Sequence, residues 1–144
     1  MDLINIKQLE SILRKKISVA LHTDVAESVK ETMKDKIEEE VYSVYSPSVY
    51  ERQREHGGLL DEHNMIVDMI NDTTMTVESQ RMDEGRNVSE IVETGQGYNP
   101  DWPFPYEGVP RPFTEATREQ IHNDGSVHFA LYKGLKRQGL DVQK

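Results

Sequence analysis

The chain contains no cysteine, so neither a disulfide framework nor a thiolate metal site is open to it. Its stability must come from side-chain burial and from partners. No apolar run approaches the roughly 20 residues that a membrane-spanning helix needs. Met1 to Lys16 mixes Leu3, Ile4, Ile6 and Leu9 with charges and offers neither the apolar stretch nor the cleavage site of a signal peptide. A cytoplasmic chain with no membrane partner is expected. Serines 46, 48, 79, 89 and 126 stand in no G-x-S-x-G elbow. Gly95-Gln96-Gly97 runs on into Tyr98, Asn99 and Pro100, where a dinucleotide fingerprint needs a third glycine opening a helix. With no Walker lysine, no kinase signature and no carboxylate pair that stands out, the expectation is a non-enzymatic protein without a cofactor.

Positive charge is also in short supply: 17 Lys and Arg face 26 Asp and Glu, a net charge of -9 over 144 residues. Residues 1–40 hold 7 basic against 9 acidic side chains, residues 41–109 hold 4 against 13, and residues 110–144 hold 6 against 4. An acidic centre is the opposite of a phosphate-gripping surface, which works by neutralising phosphates with Lys and Arg. The length suits one domain spanning 1–144. With 35% apolar residues and a mean hydropathy of -0.71, a thin or oligomer-forming subunit fits better than a compact enzyme.

Periodicity divides the chain. Leu9, Ile12, Leu13, Ile17, Ala20 and Leu21 recur at three-and-four spacing, and Val25, Val29, Met33, Ile37, Val41 and Tyr45 continue in steps of four, which predicts helix over 1–45 with a packed core stripe. Thr23 is a candidate N-cap at a shift of phase, leaving open one helix or two. Pro47 ends the segment. Tyr50 to Gly58 reads as an exposed, mobile loop. His63 to Ile70 and Thr73 to Gln80, separated by Asn71-Asp72, read as a β-hairpin, with Met65, Val67, Met69, Met75 and Val77 on its apolar face. Residues 81–87 break the pattern, and Val88 to Thr94 is a short strand or a single helical turn. Residues 95–112 form a long irregular loop with five of the six prolines and the only tryptophan. Thr114 is the expected N-cap of a helix to about His122, Asn123-Asp124-Gly125 a stop, and Ser126 the start of a second helix, giving a helical region over 113–138.

The densest group of metal-ligand types is His56 and His63 with Glu55, Asp61 and Glu62, but its spacing matches no compact zinc pattern and no metal is expected. A metal-dependent enzyme built on the two histidines is the least favoured rival. Asp101-Trp102-Pro103-Phe104-Pro105-Tyr106 alternates proline with rigid aromatic surfaces, so Trp102, Phe104 and Tyr106, with Arg111 beyond them, are candidates for partner contact.

Four pieces of this chain carry a resemblance: Tyr50 to Leu60 (YERQREHGGLL), Ile91-Val92-Glu93-Thr94-Gly95, Pro110-Arg111-Pro112-Phe113 and Leu135-Lys136-Arg137-Gln138-Gly139-Leu140. In this order the chain resembles the tail-component or neck-protein family of long-tailed bacteriophages. The resemblance implies a virion subunit, made in the host cytoplasm, whose copies form a ring joining the DNA-filled head to the tail and touch adjacent neck or tail proteins. The implied fold is α+β, with a small antiparallel sheet of three or four strands against the long N-terminal helix and the C-terminal helices. Glu93, Gly95, Pro110, Arg111, Pro112 and Phe113 are expected to fix the fold, with Arg111 also poised to hold a carboxylate such as Glu93 or one on a neighbouring subunit. Asp61, Glu62, Asp83 and Glu84 are expected to line the bore of the ring and repel passing DNA. The alternative is a phage-encoded soluble module that binds a host or assembly partner through the Trp102 loop.

Overall fold

Asn5 opens the longest element. Its side chain accepts the Gln8 amide at 2.9 Å while the Gln8 side chain accepts the Asn5 amide at 3.1 Å, a reciprocal cap that starts α1 (Ile6–Ala20). In the computed structural model, which describes residues 5–44, 54–98 and 106–143, the helix continues without a break through a π turn (Leu21–Val25), α2 (Ala26–Ile37) and a second π turn (Glu38–Tyr42). Thr23 lies inside the first π turn, so there is one helix, not two. An apolar stripe in steps of four drifts by about 40° per step on an ideal helix. The wider π turns absorb that drift and keep Val25, Val29, Met33, Ile37 and Val41 on one buried face. Pro47 and Tyr45 lie outside the described residues.

The hairpin forms from β1 (Met65–Asn71) and β2 (Thr74–Ser79). Its antiparallel register pairs Met65 with Ser79, Val67 with Val77 and Met69 with Met75, the face expected from the alternation. The turn falls one residue later than Asn71-Asp72, because Asn71 pairs with Thr74 and its side-chain oxygen accepts the Thr73 amide at 2.9 Å. The preceding loop is exposed at Arg54–Gly57 but closes inward at Leu59 and Leu60, both buried.

The expected three- or four-stranded sheet is not present among the described residues. Instead β3 (Met82–Asp83) and β4 (Arg86–Asn87) make a separate two-stranded ladder around Glu84-Gly85, both at positive φ (50° and 77°), as a tight hairpin turn requires. The Arg81 amide leaves the first ladder to donate to Ser89 Oγ at 2.9 Å, which stops β2 from extending. Val88–Thr94 is a helix, α3, opened by the Asn87 side chain and closed by Gly95 in the left-handed conformation. Ser89 and Val92, three residues apart, share its buried face, a spacing that no strand reproduces. The fold is thus α+β, with two small antiparallel ladders set among the long helix and three shorter ones.

α4 (Phe113–Asp124) and α5 (Ser126–Arg137) follow, separated by Gly125, as the Asn-Asp-Gly signal indicates. Phe113, Met33 and Ile37, the largest fully buried side chains, centre the main core with Val41, Tyr42, Leu59, Leu60, Met65 and Val92. A second cluster joins Val25, Val29 and Ala130. Gly134 lets α5 approach the first π turn closely, since a Cβ there would meet Asp24 Oδ2 at 2.5 Å and the Ala20 Cβ at 2.9 Å. Arg137 then pairs with Asp24 at 2.6 Å.

Candidate functional site

The residues singled out between Glu93 and Phe113 meet at the junction of α3 and α4. The Glu93 carboxylate accepts the amides of Thr114 at 2.8 Å and Glu115 at 3.2 Å, so the cap of α4 comes from 21 residues upstream and not from Thr114. Gly95 adopts φ 73°, and a Cβ on it would lie 2.6 Å from the Val109 carbonyl carbon. Its carbonyl accepts the Gly108 amide at 2.6 Å, and the Val92 carbonyl accepts the Arg111 amide at 3.1 Å. These bonds tie the return of the loop, Tyr106 to Pro112, onto the C-terminal end of α3. Pro112 then leads directly into Phe113, which is fully buried.

Arg111 does not hold Glu93. It is 6% exposed, donates to the Tyr98 hydroxyl at 3.0 Å and lies 4.8 Å from the centroid of the Tyr106 ring. An arginine expected at the contact surface is therefore enclosed by tyrosines of its own chain. Tyr106 in turn donates to the Val44 carbonyl at 3.2 Å, joining the loop to the end of the long helix. Trp102 and Phe104 lie outside the described residues.

The four acidic residues expected to face a bore divide into two pairs. Asp61 accepts the amides of Gly57 at 2.7 Å and His63 at 2.9 Å, and lies 2.8 Å from His63 Nδ1. Those bonds, the Gly57 amide first, hold its carboxyl at about 2, below its usual 3.8. Glu62 is paired with Lys34 at 2.6 Å, and that hydrogen bond lowers its pKa. Asp83 and Glu84 sit exposed at the tip of the second hairpin. No group of three metal-ligating side chains is assembled among the described residues.

Two apolar features remain. Residues 5–15 are all exposed, including Ile6 (83%), Leu9 (50%), Ile12 and Leu13, so the first three turns of α1 project from the body and carry an uncovered stripe. Between α2, the first hairpin, α4 and α5 lies an open groove of about 390 Å³, lined mainly by apolar side chains and rimmed by Thr73, Thr74, Thr114 and Arg118.

Compared with known proteins, residues 5–137 match the family model described as YomN. The chain belongs to the YomN family. The SPbeta prophage-derived uncharacterized protein YomN of Bacillus subtilis strain 168 is 31% identical to it over 140 residues, 94% of this chain and 95% of that one. No solved structure matches. The family is thus phage-derived, in agreement with the phage origin implied by the motifs. The YomN match runs from the capping Asn5 to Arg137 at the end of α5, and so takes in the projecting turns, both hairpins and the Glu93–Phe113 junction.

Among the features that sequence reading missed, the buried hydroxyl pair of Ser79 and Ser89, 2.7 Å apart, gave no signal, because two serines ten residues apart look like surface polar residues. The exposed stripe on α1 was visible as a pattern but assigned to the core. A three-and-four spacing reports a face that must be covered and is silent about which chain covers it.

Proposed function

We propose that this chain is a non-enzymatic structural subunit of a phage particle, sited at the neck, where its copies form part of the ring that joins head to tail. One observation carries the reading: α1 presents an apolar face that the described residues of its own chain leave exposed, and such a face is completed by assembly. The phage-derived family supports it, as do the Ile91–Gly95 and Pro110–Phe113 motifs, whose residues build one rigid junction in place of a reactive site. The partners are further copies of this chain and adjacent neck or tail proteins, met in the host cytoplasm during assembly. In a ring with its acidic central third turned inward, Asp61, Glu62, Asp83 and Glu84 repel DNA phosphates, so DNA passes without adhering.

The test is to purify particles of a phage carrying this chain with an epitope tag and to locate the tag by immunogold electron microscopy. Label at the head–tail junction is the expected result. Particles without label, with the tagged chain left in the soluble lysate bound to another protein, would favour the soluble interaction module instead.

A further inference from the structure

We infer that the projecting first turns of α1 of one copy dock in the apolar groove of the next, so that copies associate head to tail through an arm and a socket; this deepens the ring assignment proposed above. The arm is defined by its bonds. Before Lys16, whose ammonium donates to the Gln138 carbonyl at 2.9 Å, every hydrogen bond and ion pair of residues 5–15 among the described residues stays within the arm's own helix: Asn5 with Gln8, Leu9 with Asn5, Arg14 with Glu10. Ile6, Leu9 and Leu13 lie at three-and-four spacing, one apolar line along its exposed surface.

The socket is the groove whose floor and walls include Leu21, Val25, Val29, Met75, Ile121 and Val127. At about 390 Å³ it has room for side chains of the size the arm offers. The arm cannot fill its own socket. Helix continues unbroken from Ile6 through Leu21, where the socket begins, so the arm is held pointing away along the same axis. A chain with an apolar projection and an apolar recess that cannot meet within one copy is complementary to itself in a heterologous sense, and such contacts repeat into closed rings or open filaments.

Charge selects a second copy's body over a second copy's arm. The arm, residues 5–15, carries Lys7, Arg14 and Lys15 against Glu10, a net +2, and the chain's total of -9 therefore leaves -11 on everything else. Arm against arm sets +2 beside +2, whereas arm against body sets opposite signs together and steers the encounter. On α2, Glu27, Glu31 and Asp35 form an acidic row at i, i+4 spacing that lines a neighbouring recess, not the socket itself, and contributes to the body's negative charge.

The absence of native cysteine makes the test clean. Full-length Leu9→Cys and Ile121→Cys variants, each checked for wild-type circular dichroism and melting, are treated with a short bis-maleimide at the highest soluble concentration, singly and mixed. The inference expects a covalent dimer only in the mixture, and a ladder of higher species from the double variant. It also expects Ile6→Asp, an exposed change that leaves folding intact, to reduce the mixed product at least tenfold when placed in the Leu9→Cys chain. Dimers of Leu9→Cys alone would establish arm-to-arm pairing and overturn the inference, as would a mixture without product. The two proposals fail separately: mixed product from a chain that particles lack defeats the neck assignment alone, and neck label without mixed product defeats the arm and socket alone.

Discussion

At Asp61 three hydrogen bonds to the charged carboxylate depress its pKa from 3.8 to about 2. A depressed carboxyl adds stability that is complete above its unfolded value and is lost as pH falls through the folded one, here from about 4 to about 2. The melting temperature of Asp61→Asn should therefore lie below wild type at pH 6 and converge on it between pH 4 and pH 2. A gap constant down to pH 2 would show that the bonds to Gly57 and His63 do not depend on the charge. Glycine positions give a second residue-level contrast. Gly95→Ala combines a left-handed backbone with a clash against Val109 and should cost roughly 3 kcal/mol, whereas Gly85→Ala, at a similar φ of 77° with open space around it, should cost only about 1 kcal/mol. Equal losses in denaturant unfolding would remove the close approach of Val109 from the account. Little of this was legible in sequence. Gly95 stood out as one of the residues expected to fix the fold, but its neighbour Val109 is brought in by the return of a long loop. Glu93 caps a helix that begins twenty residues later, beyond the reach of any local capping rule.

Elements were more legible where their period is local. Alternation of Met65, Val67 and Met69 against Ile66, Asp68 and Ile70 fixed both the hairpin and its inward face, because side-chain direction in a strand depends only on the adjacent residue. Val88–Thr94 was ambiguous for a physical reason: seven residues with Val88, Ile91 and Val92 satisfy a strand or two helical turns, and the Asn87 cap together with left-handed Gly95 decides for helix. In the long helix, the same three-and-four pattern covers a buried half and an exposed half. The exposed half gives a prediction. Asn5→Ala removes the reciprocal cap at a cost of about 1 kcal/mol. Since residues 5–15 are exposed and make no hydrogen bond or ion pair with the rest of the described residues beyond their own helix, the loss should appear as faster amide exchange at residues 6–10 with an unchanged melting temperature. A global drop in melting temperature would mean that the arm is coupled to the core and is not a free projection.

For the whole molecule, two cores of modest size are joined by one helix that runs past them into solvent, and the excess of negative charge sits on the body while the projection is basic. On the assembly proposed above, neighbouring copies finish such a molecule. Sequence alone suggested an oligomer through low apolar content and through likeness to neck proteins, but it placed the apolar stripe of α1 in the interior, because patterning cannot distinguish a core from an interface. Electron cryomicroscopy of the head–tail junction in a phage carrying this chain tests the neck assignment most directly. The expected density is a closed ring of this fold between portal and tail, with the acidic central third facing the bore. A junction fully accounted for by other proteins, with this chain absent from the purified particle, would contradict it.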